Sequence, residues 1–160
     1  MELVKKIMSG KGIKSQLIID SNVIIDTFDS KSDNYEPSLK FMNIIATERM
    51  HFLMPAHGWF EITCNLKKIS QNRGIIPPFF NGSQSMLIEF IHIDDDFILT
   101  YSDVDIPFIK AKDHIFLVVA KKNNIPLITW DQQMTTIGKS SGIRMISPTE
   151  WMMTHGRQHV

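Results

Sequence analysis

Four acidic residues of the sequence stand next to apolar stretches that are typical of a protein interior: Asp20, Glu61, Asp113 and Asp131. A buried carboxylate without a partner is costly, and carboxylates gathered in one pocket repel one another unless cations offset their charge. Mg²⁺ and Mn²⁺ prefer carboxylate and water oxygens, and a pair of such ions can clamp the attacking and leaving oxygens of a phosphodiester. The four acids therefore predict a divalent-cation site.

Two of these acids are predicted at the carboxyl ends of strands. A short apolar strand over 16–19 ends at Asp20, and a second strand over 126–130 ends at Asp131. Ser21 and Asn22 offer side chains that can cap the helix after Asp20. Because ligands bind beyond the carboxyl ends of parallel strands, we expect both acids at the ligand-binding edge of a sheet.

The other two acids are predicted on helices. Apolar residues between Trp59 and Ile69 recur at three- and four-residue spacing, which places Glu61 on a helix. The run 115–120 after Asp113 is apolar on all sides, so its periodicity fits either a buried helix or a buried strand. Its length and the Lys-Lys-Asn-Asn sequence behind it favour a helix.

The remaining pattern completes an alternation of strands and helices. It predicts a helix from Pro37 to about residue 49, a strand over 51–54 stopped by Pro55, a loop over 71–85, a strand over 87–93, a short helix capped by 94–96, a helix over 131–137 that ends before Gly138, and a strand over 143–146. This order predicts an α/β fold with three α/β/α layers around a mostly parallel sheet of four to five strands.

Length and composition suit one domain with its own core, since the chain has 160 residues of which 43% are hydrophobic. We expect an N-terminal extension over 1–15, a single domain over 16–153 and a C-terminal tail over 154–160. The N-terminus lacks the apolar core of a signal peptide, and no stretch reaches the roughly 18 apolar residues of a membrane helix. These features predict a cytoplasmic protein without a membrane partner, and the single cysteine, Cys64, is predicted to be buried.

Net charge excludes nucleic-acid binding through a global positive field, because 17 Lys and Arg balance 17 Asp and Glu. A local basic patch would have to supply the phosphate contacts instead. The candidates flank the acids in sequence and are Lys67, Lys68, Arg73, Lys110 and Lys112. Solvation of helix faces is an equally good explanation of these five residues.

Taken together, the motifs resemble those of the PIN-domain nucleases, and especially the toxins of VapBC-type toxin–antitoxin pairs. The matching segments are 17–26, Glu61 in the helix after the second strand, Asp113 at the head of an apolar helix, 126–131, and the strand-Pro-Glu segment 142–151. The resemblance covers residues 16–152.

This resemblance implies a PIN-like fold and an endoribonuclease that hydrolyses RNA. It implies that the four acids hold Mg²⁺ or Mn²⁺ and activate water, while Asn22 and Thr129 brace the site by hydrogen bonds. It also implies a homodimer that is held inactive by an antitoxin protein.

Other interpretations of the same residues differ in what they require. A receiver domain needs an early acidic pair, and a haloacid-dehalogenase-type phosphatase needs a second Asp two positions after the first, where this chain has Asn22. A metal-free ribonuclease would use paired histidines, which the spacing does not suggest. Each acid has a structural alternative as a helix cap or solvated residue. A PIN-like protein that binds RNA or protein, or acts in RNA processing, stays open.

Overall fold

Five short parallel strands form the centre of the fold in a computed structural model that describes residues 17–73 and 88–155. The elements are β1 (Leu17–Ile19), α1 (Ser21–Asp26), α2 (Tyr35–Thr47), β2 (Phe52–Pro55), α3 (Ala56–Arg73), β3 (Ile88–Ile91), α4 (Asp95–Tyr101), α5 (Ala111–Asn123), β4 (Leu127–Ile128), α6 (Gln132–Ser140), β5 (Met145–Ile146) and α7 (Pro148–His155). The strand order is β3-β2-β1-β4-β5. The predicted α/β class and its parallel sheet are confirmed.

Helices cover both faces of this sheet, which explains why its strands are almost entirely apolar, with Glu89 of the edge strand β3 as the exception. Successive strand side chains point to opposite faces, so Ile18 joins one core while Leu17 and Ile19 join the other. Buried residues of α4, α5 and α6 belong to the first core. Those of α1, α2, α3 and α7 belong to the second. The β1 strand lies between β2 and β4, and its carboxyl end therefore opens at the middle of the sheet.

Most element boundaries differ from the sequence prediction by a few residues, and two of the differences involve a residue that was expected to end an element. The β2 strand includes Pro55, opposite Ile91 of β3, and α3 begins at the next residue. The α6 helix continues through Gly138 instead of stopping before it. A Cβ at Gly138 would lie 2.4 Å from the Met145 sulfur atom, so this glycine permits close packing of α6 on β5. The left-handed residue after α6 is Gly142, with φ of 78°.

Several predicted segments extend outside the described residues. These are residue 16 and the extension 1–15, residue 87, most of the loop 71–85 and the end of the tail 154–160. Residues 71–73 of that loop belong to α3, and α7 reaches His155. The prediction that Cys64 is buried is wrong, because its side chain is exposed on α3. None of the helices in the described ranges has the length and apolar character needed to cross a membrane.

Candidate metal centre

Asp20 lies directly after β1 and is buried, with only 4% of its surface exposed. Its backbone N–H donates to the Ile128 carbonyl at 3.0 Å, which fixes it to the end of β4. Thr129 Oγ1 donates to Asp20 Oδ2 at 2.7 Å, and Ser21 Oγ lies 3.3 Å from Oδ1. The carboxylate is therefore held in one orientation at the carboxyl edge of the sheet.

The pKa of Asp20 is raised from 3.8 to about 6, mainly because burial disfavours the charged form. The hydrogen bond from Thr129 acts in the opposite direction, and the negative charges of Glu61 and Asp113 raise the value further. Three of the predicted acids thus influence one another. A cation that neutralised these carboxylates would offset the free energy that burial and mutual repulsion of their charges cost.

Glu61 extends from α3 toward Asp20, and the hydroxyl group of Ser21 lies between the two carboxylates. Its Oε2 accepts a hydrogen bond from Ser21 Oγ at 2.6 Å, and its Oε1 accepts one from Lys112 Nζ at 2.6 Å. Ser21 has one hydroxyl proton, so the shorter contact with Glu61 takes it. Burial would raise the pKa of Glu61, but the hydrogen bonds from Lys112 and Ser21 and the Lys112 charge hold it below its usual value.

Asp113 occupies the first turn of α5 and is partly buried. Its pKa is raised by burial and by the charges of Asp131 and Glu61, against the opposing effect of Lys112 and Lys110. The charges of the four predicted acids therefore influence one another, since Glu61 and Asp113 act on Asp20, and Asp131 and Glu61 act on Asp113.

Asp131 is also the N-cap of α6, because its Oδ1 accepts a hydrogen bond from the Met134 amide at 2.7 Å. This is the structural alternative that the sequence left open for Asp131. One oxygen of this carboxylate serves the helix, and the residue still acts on the pKa of Asp113.

Thr129 connects the two strand ends through one hydroxyl group, and it is 2% exposed. Its Oγ1 donates to Asp20, accepts from the Asp131 amide at 3.0 Å and lies 3.4 Å from Asn22 Nδ2. Within the described ranges, the buried Oδ1 of Asn22 has no hydrogen-bond partner. Thr129 and Asn22 therefore stand beside Asp20, where their supporting roles remain predictions.

The donor set fits a hard divalent cation in its chemistry. The four acids and the unpartnered amide oxygen of Asn22 are all oxygen ligands, which Mg²⁺ and Mn²⁺ prefer. The raised pKa values of Asp20 and Asp113 indicate negative charge that the protein does not fully offset. As the side chains stand in the described part of the chain, no three Asp, Glu, His or Cys groups are close enough to hold one ion. Binding would require Glu61 to give up part of its present contacts.

The predicted basic residues are spread over two helices. Lys112 reaches the acids through its ion pair with Glu61, and Lys110 lies near enough to lower the pKa of Asp113. Lys67 and Lys68 are exposed on α3. Arg73 ends that helix, and its side chain is outside the described part of the structure. Contacts of these residues with RNA remain predictions.

Two polar residues belong to this region although the sequence did not mark them as site residues. Ser21 was predicted only as a helix cap, yet it bridges Asp20 and Glu61. His57 Nε2 lies 2.9 Å from the Lys112 carbonyl oxygen, and burial lowers the pKa of this histidine. The sequence signal that could have assigned His57 to this region is its spacing of four residues from Glu61, since residues four apart share a helix face.

Comparison with known proteins agrees with this fold. The PIN-domain family model matches residues 17–140, so the chain belongs to the PIN-domain family. Proteins of this family are typically nucleases and are generally metal-dependent.

Among solved structures, the chain is similar to the "Crystal structure of VapBC2 from Rickettsia felis bound to a DNA fragment from their promoter". The match has a TM-score of 0.53 and 13% sequence identity, and it covers 82% of this chain and 98% of that chain. At this identity the similarity shows the fold alone. No curated protein matches the sequence significantly.

Proposed function

We propose that this protein is a metal-dependent endoribonuclease that hydrolyses phosphodiester bonds in RNA. The observation that carries the proposal is the junction of Asp20, Ser21 and Glu61 at the carboxyl edge of a parallel sheet, within the electrostatic reach of Asp113 and Asp131. Gathering partly buried carboxylates that repel one another is costly, and a bound cation would offset this cost.

In this proposal the four acids, Asp20, Glu61, Asp113 and Asp131, hold Mg²⁺ or Mn²⁺. When bound, the metal supplies Lewis-acid chemistry to the phosphodiester and to the attacking water. Thr129 fixes the orientation of Asp20, and its hydroxyl also accepts a hydrogen bond from the Asp131 amide, which links the ends of β1 and β4. Lys110 and the other nearby lysines attract the RNA phosphates. Because water attacks, the RNA 2′-hydroxyl takes no part.

The chemistry is tested with purified protein and a mixed RNA substrate. We expect cleavage with Mg²⁺ or Mn²⁺, none in EDTA, and products with 5′-phosphate ends. Asp113→Asn should reduce turnover by at least about 10- to 100-fold, the loss that is typical even for residues that only support a metal ligand. The exposed control Asp33→Asn should behave as wild type. Products with 2′,3′-cyclic phosphate ends, or cleavage that persists in EDTA, would contradict the mechanism.

We further propose that the protein is the toxin of a toxin–antitoxin pair and forms a homodimer. The fold similarity to the VapBC2 crystal structure supports this assignment. An anionic pocket also suits an inserted Arg or Lys from an inhibitory protein. Expression without a partner should slow growth for wild type but not for Asp113→Asn, and a small antitoxin should co-purify with either protein. Size-exclusion chromatography with light scattering tests the dimer.

A second candidate is a PIN-like protein that binds RNA or another protein, or acts in RNA processing, without toxicity. The observation in its favour is the Lys112–Glu61 ion pair, which keeps one predicted ligand engaged within the protein. Equal growth on expression of wild type and Asp113→Asn, with cellular RNA intact, would support this candidate over the toxin.

A further inference from the structure

Lys112 is held by α3 at two points. Its ammonium group lies 2.6 Å from Glu61 Oε1, and its backbone carbonyl oxygen lies 2.9 Å from His57 Nε2. His57 and Glu61 share a face of α3 because they are four residues apart. The His57 ring also packs against Phe116 of α5, with ring centroids 5.2 Å apart. The backbone of Lys112 is therefore anchored, and the side chain alone carries the ammonium into the acidic site.

The ammonium group occupies a position where several carboxylates attract a cation. The hydrogen bond with Glu61 is the main cause of the raised pKa of Lys112, and the charges of Glu61, Asp113 and Asp20 contribute. Both oxygens of Glu61 are engaged, one by Lys112 and the other by Ser21. A cation that used Glu61 as a ligand would have to replace at least one of these contacts.

We propose that Lys112 is a built-in counter-ion that neutralises Glu61 in the cation-free protein and competes with the divalent cation for that carboxylate. This inference rests on the proposed metal-dependent function. The ion pair is partly open to solvent, since 52% of the Lys112 side chain and 25% of the Glu61 side chain are exposed. Such a pair is weak enough to be displaced. The displaced ammonium remains tethered to the site through the His57 contact of its backbone.

The proposal is tested by titrating Mn²⁺ into cation-free protein by isothermal calorimetry. Lys112→Met keeps the aliphatic volume but removes the competing charge, and it should bind Mn²⁺ about fivefold tighter than wild type, the ratio expected from losing one partly exposed ion pair. Lys112→Arg retains a cation and should stay within about twofold of wild type. The matched control is Lys122→Met, which removes a lysine of α5 that pairs with Asp103. It should also stay within about twofold of wild type.

The pattern of affinities separates this inference from the proposed function. Equal or weaker Mn²⁺ binding by Lys112→Met overturns the counter-ion and leaves the metal site standing. Binding by Lys112→Met but not by wild type supports the counter-ion and contradicts metal-dependent activity of the natural protein. Absence of binding in every variant overturns both.

A measurement on the wild-type protein covers the case in which Lys112→Met does not fold. Protein labelled with ¹³C at the lysine ε-carbons gives one NMR signal for each lysine, and Lys112→Arg assigns the signal of Lys112. Saturation with diamagnetic Mg²⁺ should move this signal toward those of solvent-exposed lysines. A Lys112 signal that stays in place while Mg²⁺ binds would overturn the proposal.

Discussion

Replacing Asp20 with asparagine should make the cation-free protein more stable at neutral pH. The ionised carboxylate is buried and lies near two other negative groups, whereas asparagine carries no charge. Its side-chain oxygen can still accept the hydrogen bond that Thr129 now donates at 2.7 Å. The substitution therefore removes the charge with little change of shape.

The magnitude follows from the difference between the folded and unfolded pKa values. The folded pKa of Asp20 is about 6, against an ordinary value of 3.8, so ionisation costs the folded state about 3 kcal/mol at neutral pH. The folded state binds the proton more tightly than the unfolded state does. The stability due to protonated Asp20 is complete below pH about 4 and is lost as the pH rises through about 6.

Urea denaturation in EDTA at pH values from about 4 to 8 measures this difference for wild type, Asp20→Asn and the exposed control Asp33→Asn. The advantage of Asp20→Asn should be near zero at the acid end and approach about 3 kcal/mol above pH about 7. Mn²⁺ should stabilise wild type by mass action and reduce or reverse the advantage. A variant that is less stable than wild type at neutral pH in EDTA, or a gain independent of pH, would refute an uncompensated charge at Asp20.

Three further substitutions test the surroundings of the site, the packing of α6 on β5 and the left-handed end of α5. Thr129→Val removes the donor to Asp20 and the acceptor of a backbone amide, so urea denaturation should show a loss of about 2 to 3 kcal/mol, and a loss below about 0.5 kcal/mol would contradict the contacts. Gly138→Ala should lower the free energy of unfolding by about 1 kcal/mol or more because its Cβ would overlap Met145; a gain, as alanine gives in an open helix, would contradict this packing. Asn124→Ala should cost about 1 kcal/mol because φ is 53° at this position, while Asn124→Gly should not; equal thermal denaturation midpoints would refute the strain.

Local sequence was sufficient to predict the elements that carry the acids. Asp20 and Asp131 follow apolar strands, and the sheet topology brings both strand ends to one edge, as expected for parallel pairing. The Lys-Lys-Asn-Asn sequence that favoured a helix was an equally local signal, because its last asparagine, Asn124, adopts the left-handed conformation that ends α5. Gly138 was wrongly predicted to stop the helix. A glycine is needed at this position because the Met145 side chain packs against it, and local sequence patterns do not show this contact.

The internal contacts of the site could not be predicted in the same way. Ser21 and Glu61 are 40 residues apart, and Lys112 and Glu61 are 51 residues apart. Their pairing depends on how α3 and α5 pack against the edge of the sheet. From the sequence, Lys112 was one of several basic residues close to an acid. Contact with RNA and solvation of a helix face explained it equally well. The ion pair with Glu61 is a third possibility that required the tertiary structure.

The four acids divide into two pairs with different mechanical support. Asp20 and Asp131 follow strands, and one buried hydroxyl of Thr129 holds the Asp20 carboxylate and the Asp131 backbone amide. Glu61 and Asp113 lie on helices, and the ammonium group of Lys112 pairs with Glu61 and opposes the rise of the Asp113 pKa.

This difference in support indicates which acid would change its contacts if a cation bound. If the proposed metal site is right, Glu61 would exchange the internal ammonium of Lys112 for an external ion, while Asp20 would keep its hydrogen bond from Thr129. An inhibitory Arg or Lys from a partner would meet the same exchange at Glu61. Under the proposed function, Lys112 would compete with metal and inhibitor alike for Glu61, whereas Thr129 acts on the orientation and the pKa of Asp20.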